Sequence, residues 1–392
     1  MKKNLLIFNE KFFSLSETFI YNYTAGAANE YGIHLLSGEC INRDIFPVPG
    51  GVTDHQIGEY KNFTDKVKTK FHRIYKGYSG KFSLYYDFFI DSIIRDTPID
   101  LIHAHYGPNG ITIFPYAKKR NVPLVVSFHG YDASRSTMKK EYMDSLMRLF
   151  DYASAIIIVS PHMAKNLKLD AYSDKVHLIP YGIDADFFRP VPRVEKDKIE
   201  LLHFGRLVEK KGVPDLIRVF SNLEKRYDKV KLHVVGDGKK MNECKQVVQD
   251  LQISPKKVIF HGAQPHSVIK KLLEQTDIFV LNSRTADDGN MEGLPNSILE
   301  AMSMEKAVVS TYHAGIPLAI EDGYNGLLVQ ERDNNALESA IEKFYLNTDF
   351  RIQLGRAARQ TVLNKFTISQ MKKKVNAVYE GIFQSEYSEV SL

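Results

Sequence analysis

The sequence predicts an α/β chain made of two doubly wound domains in series. Three observations carry this. Short apolar runs rich in β-branched residues alternate with helix-period segments along the whole chain, a stretch rich in proline and charge interrupts them once, and the alternation then restarts. At 392 residues the chain is too long for one ordinary domain and comfortable for two, each able to bury a core.

Asn4–Phe8 reads as the opening strand. Its apolar run is broken by Asn9-Glu10-Lys11 and is too short for a signal peptide. Ile33–Leu36, Leu101–Ala104, Leu124–Phe128, Ala155–Val159 and Val176–Ile179 are the further strands expected in the first half. The second half offers Glu200–Phe204, Lys231–Val235, Val258–Phe260, Ile278–Leu281, Ala307–Ser310 and Gly326–Val329. Val213–Arg226, Asn242–Gln252, Ser267–Gln275 and Ser297–Met304 have helical periodicity between them. Strands this short and apolar, alternating with helices, predict parallel sheets covered on both faces. Pro190, Pro192 and the run Glu195-Lys196-Asp197-Lys198 mark a linker, which places the domains at 1–184 and 199–366 with 185–198 between them. Ile368–Phe383 reads as a last helix and Gln384–Leu392 as a loose tail. Ligands of doubly wound domains sit at the carboxyl ends of the strands, so two such domains facing each other imply a cleft.

With 44% hydrophobic and 25% charged residues, the composition excludes wholesale disorder, collagen-like repeats and coiled-coil rods. Cys40 and Cys244 form no CxxC or Cys/His cluster, which argues against a disulfide framework or structural zinc and for a reducing compartment. No run of about 18 apolar residues occurs, so a cytoplasmic protein is expected. The net charge of +5 says little, but its excess is local. Between Lys61 and Lys81 seven Lys and Arg residues stand against Asp65, with Phe63, Phe71, Tyr75 and Tyr78 interleaved. Such a segment suits an anionic membrane surface at the inner face of the cell membrane, and equally a solvated helix face. No nucleic-acid signature accompanies it.

Two clusters carry chemistry. Gly205-Arg206 to Lys211-Gly212 joins a strand to a helix, so Arg206 and Lys211 stand at the ligand end of a sheet, where they could clamp a diphosphate or simply charge a loop. In Glu292-Gly293-Leu294-Pro295-Asn296-Ser297, a turn leads into a helix starting near Asn296 or Ser297. The first amides of that helix form an anion site, and because Pro295 has no N–H the donors fall to Leu294, Asn296, Ser297 or Ile298. Glu292 before the helix and Glu300 one turn into it are spaced for sugar and ribose hydroxyls, or else are a capping acid and a surface acid. His103 and His105 have a zinc-like spacing but no third ligand, and Asp287-Asp288 reads as a solvated loop. Gly236-Asp237-Gly238 lacks the third glycine of an NAD fingerprint. His162, His177, His233 and His313 read as structural.

Arg206 and Lys211 followed by the Glu292–x7–Glu300 pair in an EGLPNSILEAM core resemble the retaining glycosyltransferase family 4. Tyr181-Gly182-Ile183-Asp184, Val235-Gly236-Asp237-Gly238, Phe260-His261-Gly262 and Ser127-Phe128-His129-Gly130-Tyr131-Asp132 extend the likeness through nearly the whole chain. The family's usual glycine-rich first loop is replaced by Ser16-Glu17-Thr18-Phe19-Ile20, a form similar to the branch that builds bacterial exopolysaccharides such as colanic acid. The resemblance implies a GT-B fold, two Rossmann-like domains facing a central cleft, with the segment 367–392 crossing back to the first domain. It implies that Arg206 and Lys211 neutralise a leaving diphosphate, that Glu300 holds ribose hydroxyls, and that Glu292 and His129 lie beside the transferred sugar. The rest of the donor site falls to Gly205, Leu294, Asn296, Ser297 and the loop Gly262, Ala263 and Gln264. The acceptor side falls to Ser16, Glu17, Thr18, His105, Tyr106 and Tyr131. No metal and no cofactor are expected. The implied partners are a UDP- or GDP-sugar and a glycan or polyprenyl-linked acceptor. The rival readings are a sugar-nucleotide epimerase or phosphorylase on the same scaffold, or a non-catalytic nucleotide- or glycan-binding subunit.

Overall fold

The computed structural model describes residues 2–12, 18–56, 90, 97–134, 139–192 and 197–390, without side chains at 18, 19 and 386–390. Ser16, Glu17 and the segment Lys61–Lys81 lie outside the described residues, as does the side chain of Thr18. The chain forms two compact units: Met1–Ile158 with Met163–Ile179 and Met371–Leu392, and Val159–His162 with Pro180–Gln370.

The first unit is built on a parallel sheet of seven strands: β1 (Asn4–Phe8), β3 (Gly32–Ser37), β5 (Val52–Gln56), β6 (Leu101–His105), β7 (Leu124–Phe128), β8 (Ala155–Ile158) and β9 (Val176–Leu178). Their order is β5-β3-β1-β6-β7-β8-β9. β2 (Lys11–Phe12) and β4 (Glu39–Cys40) make a separate short pair. Every residue of β6, β7 and β8 is buried, as a central parallel strand covered on both faces requires. β5 is a finding that the pattern does not announce: Val-Thr-Asp-His-Gln is polar and only half-buried, because the strand lies at the sheet edge. Helix α1 (Thr18–Ala27) follows β2, α2 (Gly107–Arg120) follows β6, and α3 (Lys140–Tyr152) precedes β8. The short α4 (His162–Asn166) follows β8.

The second unit has six parallel strands: β10 (Ile199–Phe204), β11 (Val230–Val235), β12 (Val258–Gly262), β13 (Ile278–Val280), β14 (Ala307–Thr311) and β15 (Leu327–Val329). The order β12-β11-β10-β13-β14-β15 turns back between β10 and β13. A doubly wound sheet binds its ligand at such a switch point, beyond the carboxyl ends of the two strands. Helices α5 (Val213–Arg226), α6 (Met241–Asp250), α7 (His266–Gln275) and α8 (Asn296–Ser303) alternate with the strands, followed by α9 (Ile316–Ala319), α10 (Asn334–Leu346) and α11 (Thr348–Lys365). On one side of the sheet Leu216, Phe220, Leu232, Val309, Ile341 and Phe344 form one core, and on the other Phe204, Phe279, Leu299, Met302, Val308 and Val362 form a second. Helix α12 (Ile368–Val390) belongs over most of its length to the first unit.

Two glycines let the strand ends crowd together. Gly236 has φ +135°, and a Cβ there would come within 1.9 Å of the Gly205 carbonyl oxygen. Gly205, with φ +151°, donates its N–H to the Val235 carbonyl at 3.0 Å. Only a residue without a Cβ at 236 allows this approach, whereas at 205 it is the positive φ that favours glycine.

Candidate active site

In the second unit the loops after β10 and β13 meet at the switch point. A 3-10 turn at Glu209–Lys211 brings Lys210 and Lys211 under the protein surface, at 6% and 8% exposure. Glu292, 7% exposed, stands between them: its Oε1 lies 3.1 Å from Lys211 Nζ and its Oε2 3.5 Å from Lys210 Nζ. Burial works to raise the Glu292 pKa, but Lys211 and Lys210 more than offset it and hold the carboxyl down at about 2. Burial pushes the Lys210 ammonium down. Its Nζ also donates to the Met291 carbonyl at 2.8 Å, so it ties the β10 loop to the residue before Glu292. Two buried cations share one buried carboxylate, and exposed Arg206 adds a third positive charge at the same strand end. The site is short of negative charge.

Helix α8 begins at Asn296 behind Pro295, which stands at φ −67° and ψ 121°. The Ile298 amide of its first turn donates to the Pro295 carbonyl at 3.1 Å, and the positive end of the helix dipole lies at this start. Asn296 Oδ1 is buried with no hydrogen-bond partner. Glu300, one turn on, has a different neighbour from Glu292: His266 Nε2, 3.4 Å from its Oε1. The hydrogen bond to Glu300 raises the His266 pKa. Gly262 closes β12 at φ +67°, Ala263 is exposed, and Gln264 Nε2 donates to the His261 carbonyl at 2.6 Å. Asp287 projects into solvent at 82% side-chain exposure and contacts Arg332. Among the described residues, no group of three or more His, Cys, Asp or Glu is arranged to hold a metal ion.

In the first unit, three imidazoles stack at the ends of β6 and β7. His103 and His105 have ring centroids 4.5 Å apart, and His105 and His129 5.3 Å apart. His105 Nδ1 and His129 Nε2 share a hydrogen bond at 3.1 Å. His103 is bonded on both sides, to Tyr379 Oη at 2.5 Å and to Ser127 Oγ at 2.7 Å. Burial lowers all three pKa values, that of His105 to about 3, so the rings are neutral at physiological pH. The loop bearing His129 is fixed by buried Asp132, whose carboxylate accepts the N–H groups of His129 at 2.9 Å, Gly130 at 3.0 Å and Gly107 at 3.0 Å. Burial nevertheless raises the Asp132 pKa to about 6, with the amide hydrogen bonds opposing. Tyr106 caps α2 at φ 72°, a strained conformation for a residue with a side chain, and presents its ring edge to His129 with centroids 4.5 Å apart. Tyr131 is 52% exposed beside them, an open aromatic face.

The family model for glycosyl transferases group 1 matches residues 184–361, and that for Glycosyltransferase Family 4 matches residues 47–187. Between them the two run over most of the chain. The chain belongs to the group 1 glycosyltransferases. The putative colanic acid biosynthesis glycosyltransferase WcaL of Escherichia coli is 28% identical over 291 residues, covering 72% of this chain and 71% of that one. The amylovoran biosynthesis glycosyltransferase AmsK of Erwinia amylovora is 30% identical over 244 residues, or 62% of this chain and 60% of its own. In fold the chain is similar to Anabaena HepE, solved in complex with UDP, at a TM-score of 0.76 and 17% identity over 97% of this chain and 100% of that one. The architecture is GT-B, two Rossmann-like units with parallel sheets flanked by helices.

The structure of the transferase gathers Lys211 and Glu292 in direct contact and sets Gly205, Arg206, Leu294, Asn296 and Ser297 on the loops and helix start around them. Glu300 and Gly262–Gln264 lie farther along the same unit, on α8 and at the end of β12. His105, Tyr106 and His129 cluster in the first unit, Tyr131 follows two residues after His129, and Thr18 opens α1. Sequence reasoning missed Lys210, whose signal was its place beside Lys211 in a turn. It also missed Asp132, three residues after His129, where an Asp that turns back on preceding amides is a common loop device. His313, read from sequence as structural, meets the main chain of Glu292, and His266 meets Glu300.

Proposed function

We propose that the transferase moves a sugar, with retention at the anomeric carbon and without a metal, from a UDP- or GDP-sugar to a glycan or polyprenyl-linked saccharide in bacterial surface polysaccharide synthesis. The observation that carries this is the charge imbalance in the second unit: Lys210 and Lys211 are buried against a single carboxylate, with Arg206 beside them. A buried cation left without a partner is costly, and a diphosphate supplies the missing negative charge. The relatives named for colanic acid and amylovoran synthesis support the polysaccharide context, and UDP in the HepE complex supports a nucleoside diphosphate.

In this reading Arg206 forks onto the diphosphate, Lys211 and Lys210 neutralise it, and the first amides of α8 add their dipoles, which is the work a divalent cation does elsewhere. Glu300 takes the ribose hydroxyls, with Gly262, Ala263 and Gln264 at the base. Glu292 touches a hydroxyl of the donor sugar. A carboxylate held near pKa 2 by two lysines is a poor base and a poor nucleophile, so it stabilises rather than forms a bond. The C–O bond to the diphosphate lengthens first, the acceptor hydroxyl attacks the same face of the oxocarbenium-like sugar, and its proton passes to the departing phosphate oxygen. His129, with neutral His105 behind it, donates or accepts a hydrogen bond to the sugar without carrying charge. His105, Tyr106 and Tyr131 form the acceptor side, with Ser16, Glu17 and Thr18. The peripheral membrane contact assigned to Lys61–Lys81 rests on its sequence alone.

A thermal shift with UDP, GDP, ADP and NAD, each with magnesium and with EDTA, tests the reading. A ligand at 100 times its dissociation constant stabilises by about 2.7 kcal/mol, which a melt resolves. Stabilisation by UDP or GDP that survives EDTA is expected. Stabilisation by NAD alone, or by a nucleotide only with magnesium, would overturn the reading.

A further inference from the structure

Beneath Glu292 lies a relay that the donor-site reading leaves unused. The Glu292 amide donates to His313 Nε2 at 3.1 Å, and His313 Nδ1 meets Glu331 Oε1 at 2.6 Å. An amide N–H can only donate, so Nε2 holds a lone pair, the ring proton sits on Nδ1, and Glu331 accepts it. His313 is fully buried, and burial keeps the ring neutral against the pull of Glu331 and Glu292, with Lys210 acting in the same sense as burial. The other Glu331 oxygen accepts the Thr285 N–H at 2.8 Å, so one carboxylate orients the imidazole and anchors the loop that leads to Glu292. The turn carrying His313 grips the next residue as well: Gly315 N–H donates to the Gly293 carbonyl at 2.9 Å.

We infer that His313 is a positioning residue for the transfer reaction, held as its Nδ1–H tautomer by Glu331 so that Nε2 fixes the Glu292 main chain and presents the carboxylate to the donor sugar. This rests on the reading of Glu292 as a donor-sugar contact. Lys210 and Lys211 then see a carboxylate whose backbone cannot drift, which is what a contact made at the transition state needs.

Two substitutions separate the two nitrogens. His313→Gln can place a carbonyl oxygen where Nε2 stands, and so keeps the acceptor for the Glu292 amide while giving up Glu331. His313→Asn can place its amide NH₂ where Nδ1 stands, keeping Glu331 and giving up Glu292. The readouts are hydrogen exchange at the Glu292 amide, affinity for UDP and GDP, and turnover of UDP-glucose and GDP-mannose. In His313→Asn the Glu292 amide should exchange about 100-fold faster and kcat should fall about 30-fold or more, with nucleotide affinity within about threefold of wild type. His313→Gln should keep kcat and amide protection within about fivefold. Equal losses in both variants, or an unchanged Glu292 amide in His313→Asn, would overturn the inference. Should His313→Asn fail to fold, Glu331→Leu frees the tautomer and releases the Thr285 amide while leaving the His313 ring in place, and full kcat in that variant would also overturn it. Absence of turnover in the wild type with both donors would count against the donor reading, while the exchange data would still decide whether His313 holds Glu292.

Discussion

Lowering the pH from about 7.5 to about 5 should weaken the first unit through its histidines, and His105→Asn should remove a defined part of that loss. Burial holds His105 at about 3 against an ordinary value of 6.5. A ring depressed in the fold contributes stability that is whole above 6.5 and is lost progressively as pH falls toward the folded value. By pH 5 the unfolded ring is protonated and the folded one is not, a difference of about 1.5 log units, or about 2 kcal/mol. His103 and His129 are lowered in the same sense. Asp132 runs the other way: with its carboxyl raised to about 6, the folded state takes up its proton first and regains about 1.4 kcal/mol over the same interval. The overall slope is therefore composite, and the variant isolates one ring. Asn keeps a polar atom near the position of Nδ1, facing His129, but does not titrate. Native-state hydrogen exchange of the β6 and β7 amides, at both pH values and in both proteins, reads the stability of this unit directly. The two pH dependences should differ by about 2 kcal/mol. Equal dependences would mean that the ring is already charged in the fold, and the argument from burial would fail.

The remaining predictions concern the second unit. Lys210→Met should lower UDP or GDP affinity by about 10- to 100-fold, the worth of one charged hydrogen bond of about 1.5–3 kcal/mol. It should also lower the melting temperature, because the Met291 carbonyl loses its donor and Glu292 one of its two cations; calorimetry showing less than a twofold change in affinity would remove Lys210 from the site. Gly236→Ala should cost about 3 kcal/mol or more, since the new Cβ meets the Gly205 carbonyl at 1.9 Å in a backbone conformation at φ +135°. An unchanged thermal melt would refute that.

What the sequence disclosed follows from what each residue type can say alone. β6, β7 and β14 were legible because strands covered on both faces are dominated by apolar residues, even though His103, His105, Ser127, Ser310 and Thr311 are buried among them. β5 was not, because at the sheet edge its polar run Thr53-Asp54-His55-Gln56 is only partly covered, with Thr53 exposed and Asp54 paired with Arg43. Arg206, Lys211, Glu292 and Glu300 stood out by order and spacing. Lys210 did not, since a lysine beside a lysine reads as loop charge until the fold buries it. The tautomer of His313 could not be read at all, because it is set by an amide 21 residues earlier and a carboxylate 18 residues later.

The crowding of Gly205 against Gly236 also bears on how such a transferase can diversify. Position 236 at the hub of the second sheet admits no side chain, so variation has to be written elsewhere. The rim at β12 offers room at Ala263, which is open to solvent; at Gly262 space is free within 4 Å but φ +67° favours glycine. If Gly262–Gln264 contact the base as proposed above, a lineage can redraft which nucleotide it accepts at 263 and 264 while the phosphate end stays frozen. Libraries aimed at a new donor should be spent on that rim.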